Sequence, residues 1–232
     1  MNYIIMADGQ GQRWNNFGGV PKHFAKVGGE TLIGRTVRLL KENCPGSEII
    51  ITSHDPRYDI PGTVRHEPLN NHTEVDRFTE ELIEDDVCFL YGDTWYSEES
   101  MQMILRHPSP SVTFFGRGSD IAAVKVKNGD MFREKVNEAR QILRIQGRTR
   151  NIGLWLFQNL ENAEYIGIDD NTRNVNSPED YFRLLAHAAA YAKQRLGETA
   201  AEAETMVLHR EKPVSGDGVR IAQSLSAAAV NL

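Results

Sequence analysis

The sequence has little of what marks the more specialised protein classes. It holds only two cysteines, Cys44 and Cys88, which excludes the disulfide framework of a small secreted domain. Cys88 lies inside the apolar run VCFLYG and reads as a small buried hydrophobe, and Cys44 precedes a proline at a helix end. No apolar stretch approaches the roughly 18 residues that a membrane helix requires. The first residues lack a basic segment, and the apolar run 3–7 is too short for a secretory signal. The expectation is a cytoplasmic protein without a membrane partner. Positive charge is in deficit: 26 Lys and Arg stand against 32 Asp and Glu, a net charge of −6. A general nucleic-acid partner is therefore excluded, because phosphate backbones demand a basic face. None of the 7 histidines falls at a metal-ligand spacing. The Gly-Lys-Ser/Thr of a Walker loop is missing, as is the third glycine of a dinucleotide fingerprint.

What is present is a succession of short apolar runs. They cover 3–7, 48–53, 87–92, 111–116, 121–127 and 151–157, and several are nearly continuous, as strands covered on both faces are. Helical spacing separates the first three. Leu32, Thr36, Leu39 and Leu40 form one stripe, and Val75, Phe78, Leu82 and Ile83 form another. Ser177, Pro178, Glu179 and Asp180 open a last strong helix that runs to about residue 196. Alternating strands and helices predict an α/β fold: a three-layer α/β/α sandwich around a mostly parallel mixed sheet. The expected domain is 1–196. Residues 197–232, rich in Ala, Glu, Ser and Gly, form a C-terminal appendage, helical or partly disordered, that packs on the core or mediates a homodimer.

Ligands of such sheets sit beyond the carboxyl ends of the strands. The stretch ADGQGQRW follows the first strand directly, and Asp93 follows the third. Gly9 and Gly11 permit a backbone path that turns N–H groups toward an anion. Arg13 adds a fork that matches phosphate geometry, and Lys22 of the Pro-Lys pair adds a point charge. The combination points to a phosphorylated ligand, where a lone G-x-G reads as an ordinary tight turn.

IIMADGQGQRW followed by PKHF resembles the opening signature of the nucleotidyltransferases with the GT-A type fold, in which A-A-G-x-G-x-R and then P-K follow the first strand. Molybdenum cofactor guanylyltransferase, the sugar-phosphate nucleotidyltransferases and methylerythritol phosphate cytidylyltransferase belong to this superfamily. FLYGDTWYS and NVNSPEDYFRLL resemble two of its later segments, and the likeness spans about residues 3 to 190. It implies the GT-A-like nucleotide-diphospho-sugar transferase fold and a nucleotide site at Ala7, Asp8, Gly9, Gly11, Arg13, Lys22 and Gly92. Near the second helix it places Asp76 and Arg77, with Glu74, beside the base, although these also read as a solvated helix face. It implies a Mg2+ ion held by Asp93 and Asn176, with Asn174 and Asp170 as alternatives. Asp8 departs from the pattern, which has a second alanine there. A carboxylate beside a triphosphate repels it, so Asp8 either points away or contacts a hydroxyl or the metal.

The implied reaction is attack of a phosphorylated acceptor on the α-phosphorus of a nucleoside triphosphate, with release of pyrophosphate. Arg13 and Lys22 are its catalytic candidates. The PKHF and GGETLIGRTVRLL segments favour CTP; the acceptor is a small phosphorylated metabolite. Trp95, together with Trp14, Phe17 and Tyr96, either shapes the acceptor pocket or packs in the core. Lys125, with Lys127, is a candidate for the acceptor phosphate. Two other readings remain: a glycosyltransferase of the same fold, whose D-x-D motif is absent from the GDT stretch, and a non-catalytic nucleotide-binding protein.

Overall fold

The computed structural model describes residues 1–146 and 151–193. The chain divides into two compact units, Met1–Ala189 and Ala190–Leu232. The expected boundary at residue 196 and the appendage from 197 lie outside the described residues.

The elements of the first unit run β1 (Asn2–Met6), β2 (Lys26–Val27), β3 (Glu30–Thr31), α1 (Leu32–Asn43), β4 (Ile49–Thr52), β5 (Val64–His66), β6 (Val87–Tyr91), β7 (Thr94–Trp95), α2 (Glu98–Arg106), β8 (Val112–Arg117), β9 (Asp120–Val126), α3 (Gly129–Gln146), α4 (Ile152–Asn159), β10 (Glu164–Gly167) and β11 (Arg173–Asn174). Residues 178–193 are helical, and the part of that helix within this unit, 178–189, is α5. Seven strands make the main sheet, in the order β10-β8-β9-β6-β1-β4-β5. Only β9 pairs antiparallel to its neighbours. The expected three-layer sandwich with a mostly parallel mixed sheet is therefore what the chain adopts.

Alternation of side chains across the pleat divides the core in two. Tyr3 and Ile5 of β1 face α1 and α2, against Ile33, Val37, Leu40, Met101 and Ile104. Ile4 and Met6 face the other side, against Phe78, Phe132, Val136, Ile152 and Leu156. The stripe expected on α1 is buried at all four positions. Thr31 caps α1 by accepting from the Gly34 amide at 3.0 Å. A third cluster forms around Trp14, Leu32, Val175 and Leu184 and joins α5 to the loop after β1.

Two expected elements differ. Residues 151–157, read as a strand, belong to helix α4. Asn151 adopts φ 61° and its side chain accepts from the Leu154 amide, which starts a helix at once. A continuous apolar run of that length fits a buried helix as well as a strand. Residues 74–85, read as one helix, are two 3-10 turns at Glu74–Arg77 and Glu80–Leu82. Asp76 draws the amides of His72 and Thr73 onto its carboxylate, and such local bonds compete with helical ones. Val75, Phe78 and Ile83 are buried as the helical stripe required, and Leu82 is partly buried.

Candidate active site

The connection from β1 crosses one face of the sheet to β4, while β6 pairs on the other flank of β1. A crevice opens where the strand order reverses, at the carboxyl ends of β1 and β6. Met6 and Tyr91 stand side by side there, and the Gly92 amide donates to the Met6 carbonyl at 3.0 Å. A Cβ on Gly92 would meet that carbonyl at 2.9 Å, so only glycine lets the chain turn this close and deliver Asp93 to the crevice.

The crevice widens into a cleft of about 850 Å³. Gly9, Gly11 and Arg13 form one wall, His72, Glu74 and Arg77 a second, and Asp120, Asn151 and Asn176 a third, with Lys22 and Asp93 at its base. Among the described residues the amides of Gly9, Gln10 and Gly11 have no hydrogen-bond acceptor. Gly11 takes φ 59°, and its carbonyl accepts from the amides of Trp14 and Asn15. Trp14 is buried, its indole N–H donates to the Val20 carbonyl, and its ring packs on Tyr181. That anchor holds the loop while Arg13 stays exposed.

Lys22 and Asp93 are both buried and form an ion pair. Burial alone would raise the Asp93 carboxyl. The Lys22 ammonium beside it, helped by Arg77, outweighs that effect and holds it below the usual carboxylate range. His23 lies under the pair and shares a 2.6 Å hydrogen bond with the Tyr58 hydroxyl. Burial and the neighbouring Lys22 charge lower its imidazole to about 3, so it is neutral.

The strand pair β7–β11 brings the last segment to the site. The Val175 amide donates to the Asp93 carbonyl at 2.7 Å. Val175 points into the third core cluster, which leaves Asn174 and Asn176 to the cleft. Asn174 is committed, accepting from the Thr94 hydroxyl and donating to the Ile121 carbonyl. The Asn176 carboxamide has no partner among the described residues. The Asp180 carboxylate accepts from the amides of Asn176 and Ser177 at the expected start of α5.

The structure thus brings Gly9, Gly11, Arg13, Lys22, Arg77, Asp93 and Asn176 to one cleft. It does not bring eight other expected residues there. Ala7 is a buried strand-end residue whose amide bonds to Thr52, and Gly92 is buried behind Asp93. Asp8 turns away, to the backbone amide and imidazole of His54 and to Asn71. Asp76 is buried against Arg140, which donates to it at 2.9 Å. Trp95 lies under the Arg35 guanidinium, 4.2 Å from its ring centroid. Lys125 donates to the carbonyls of Ile104, Leu105 and His107 and closes the end of α2, in register with Cys88 rather than with the ligand edge. Tyr96 is core, and Asp170 is taken up by Ser97, Ser100 and Thr172.

Sequence reading missed Asn71, His72, Tyr91, Asp120 and Asn151, all of which line the cleft. Asn71 and His72 follow β5, a strand of three residues with no apolar run to announce it. Asp120 and Asn151 reach the site only through the β8–β9 turn and the start of α4. Among the described residues no group of three His, Cys, Asp or Glu side chains is placed to hold a metal. Asp93 and Asn176 offer two oxygen donors, which suits an ion completed by water and phosphate oxygens.

Solved structures match this architecture over most of the chain. One is a protein from Bacillus anthracis assigned as a glucose-1-phosphate thymidylyltransferase: TM-score 0.58, 14% identity, 81% of this chain and 95% of that one covered. The UDP-glucose pyrophosphorylase of Acinetobacter baumanii superposes with TM-score 0.56 at 13% identity, over 85% of this chain and 99% of its own. The CTP:phosphocholine cytidylyltransferase of Streptococcus pneumoniae gives TM-score 0.52 at 14% identity, over 80% and 97%. The fold is that of the nucleotidyltransferases. No model of a protein family matches the chain, and no curated protein matches it in sequence. The nucleotidyltransferase fold is accordingly carried here at 13–14% sequence identity to these structures.

Proposed function

We propose that this chain is a magnesium-dependent nucleotidyltransferase that joins a nucleoside triphosphate, CTP by preference, to a small phosphorylated acceptor and releases pyrophosphate. The observation that carries this reading is the convergence of Gly9, Gly11, Arg13, Lys22 and Asp93 on one cleft at the carboxyl edge of the sheet. The cytidylyl-, thymidylyl- and uridylyl-type neighbours support the reaction class. The two free thiols support a cytoplasmic setting.

In this reading the Gly9–Gly11 amides and Arg13 hold the triphosphate. Lys22 stands between Asp93 and the phosphates and neutralises charge that develops as the α-phosphorus is attacked. The acceptor needs no general base, because the second pKa of a phosphate monoester is about 6 and its dianion is already a nucleophile. Asp93 and Asn176 would hold the ion. Magnesium, when bound, supplies further charge neutralisation and orients the two phosphates.

The test is pyrophosphate release from the four common triphosphates against a panel of phosphorylated sugars, polyols and amino alcohols, with and without magnesium. Turnover is expected with one donor, only with the metal. Lys22→Ala should lower kcat about 10²- to 10³-fold. Silence across the whole panel, or full turnover by Lys22→Ala, would overturn the reading or remove Lys22 from it.

A further inference from the structure

Asp8, the departure from the glycine-loop pattern, is fully occupied. Its Oδ1 accepts from the His54 backbone amide at 2.9 Å, and its Oδ2 lies 2.8 Å from His54 Nδ1. Its Oδ2 and its own carbonyl oxygen both accept from Asn71 Nδ2 at 2.7 Å. The two groups that Asn71 meets are thus oxygen acceptors. An amide can be turned end for end, but here only the N–H₂ end fits, since an Oδ1 would face two oxygens. Asp8 therefore fixes which end of Asn71 is spent and which is left. Among the described residues Asn71 Oδ1 has no partner, and Asn71 lines the cleft between the glycine loop and the wall at 72–77. The polar atom that Asn71 offers a ligand is an acceptor.

We infer that Asn71, with its carboxamide oriented by Asp8, is a specificity-determining residue that selects a nucleobase bearing an exocyclic amine: cytosine over uracil. The inference rests on the nucleotidyltransferase reading and deepens it. Cytosine carries an amino group at the ring position where uracil carries a carbonyl. An amine donates to Asn71 Oδ1. A carbonyl places two acceptors face to face and leaves both unpaired, a mismatch worth about tenfold in affinity. Asp8 itself is a positioning residue: without its carboxylate the Asn71 amide keeps only the backbone carbonyl of residue 8 as acceptor and is held less firmly in this orientation.

The experiment measures the dissociation constants of CTP, UTP and inorganic tripolyphosphate, with magnesium, for the wild type, Asp8→Ala and Asn71→Ala. The wild type should bind CTP about tenfold more tightly than UTP. Asn71→Ala should bring that ratio close to one and Asp8→Ala should lower it part of the way, and both should leave tripolyphosphate binding unchanged, a pattern that general loosening of the loop does not produce. Asn71→Ala disturbs fewer bonds, so it keeps the question answerable if Asp8→Ala does not fold. Equal binding of CTP and UTP by the wild type, or a ratio that survives in Asn71→Ala, overturns this proposal alone. A fall in tripolyphosphate binding that accompanies the lost preference in both variants does the same. No binding of any triphosphate overturns the nucleotidyltransferase reading along with it.

Discussion

Lys22 and Asp93 begin 71 residues apart and finish as a buried ion pair. Each was readable as a charged residue following a strand, one by its Pro-Lys pair and one by the strand end YGD. What the sequence did not show is that they meet, nor that His23 lies beneath them. That imidazole gives a testable signature. Its folded value of about 3 lies below the ordinary 6.5. Between those values the unfolded chain binds a proton that the folded chain does not, so stability rises with pH across the window, by up to about 1.4 kcal/mol per unit. The contribution is complete above the ordinary histidine value and is lost as pH falls toward the folded one. Urea midpoints of the wild type should decline between pH 7 and 4, and His23→Gln should decline less. Parallel curves would show that His23 is not buried in its neutral form.

Elements were legible where their residues form a local pattern. The α1 stripe, the strands at 3–7, 48–53 and 87–92, and the Ser177 start of α5 all fell where spacing and capping placed them. Helix α3 was not read from the sequence, although Phe132, Val136, Ala139 and Leu143 stand at helical spacing and Asn128 caps its start by accepting from the Met131 amide at 3.0 Å. The segments 74–85 and 151–157 were misread because distant partners decide them. Arg140 of α3 donates to Asp76 and Glu80 and fixes the first as paired turns. The second becomes a helix because Gly153 lets it close on the sheet, where a Cβ would stand 2.9 Å from Ile121 and 3.1 Å from the Tyr91 hydroxyl. Lys125 belongs to this scale as well. Its ammonium satisfies three carbonyls at the end of α2, although burial pulls its pKa below the ordinary lysine range. Lys125→Met should cost about 1–3 kcal/mol in urea denaturation, the penalty of leaving buried carbonyls unpaired. Nucleotide affinity should not change; a loss of acceptor use would return Lys125 to the site.

At the scale of the molecule, the cleft is a product of strand order, and its ligand should report on the whole unit. A triphosphate at about 100 times its dissociation constant adds roughly 2.7 kcal/mol to the folded state. Differential scanning fluorimetry with magnesium should then register a rise in Tm of about 5–10 °C. Asp93→Ala should reduce the shift, and an undiminished shift would take Asp93 out of nucleotide and metal binding. By itself the sequence determined the fold class, the ligand edge and the residues of the glycine loop, because those depend on hydrophobic period, on turn chemistry and on the order of elements along the chain. Tertiary structure alone decided which charges share the cleft, that Lys125 and Asp76 serve packing, and that Asp8 orients Asn71. Those outcomes depend on which strands become neighbours and which side chains meet across long separations, and no local spacing encodes them.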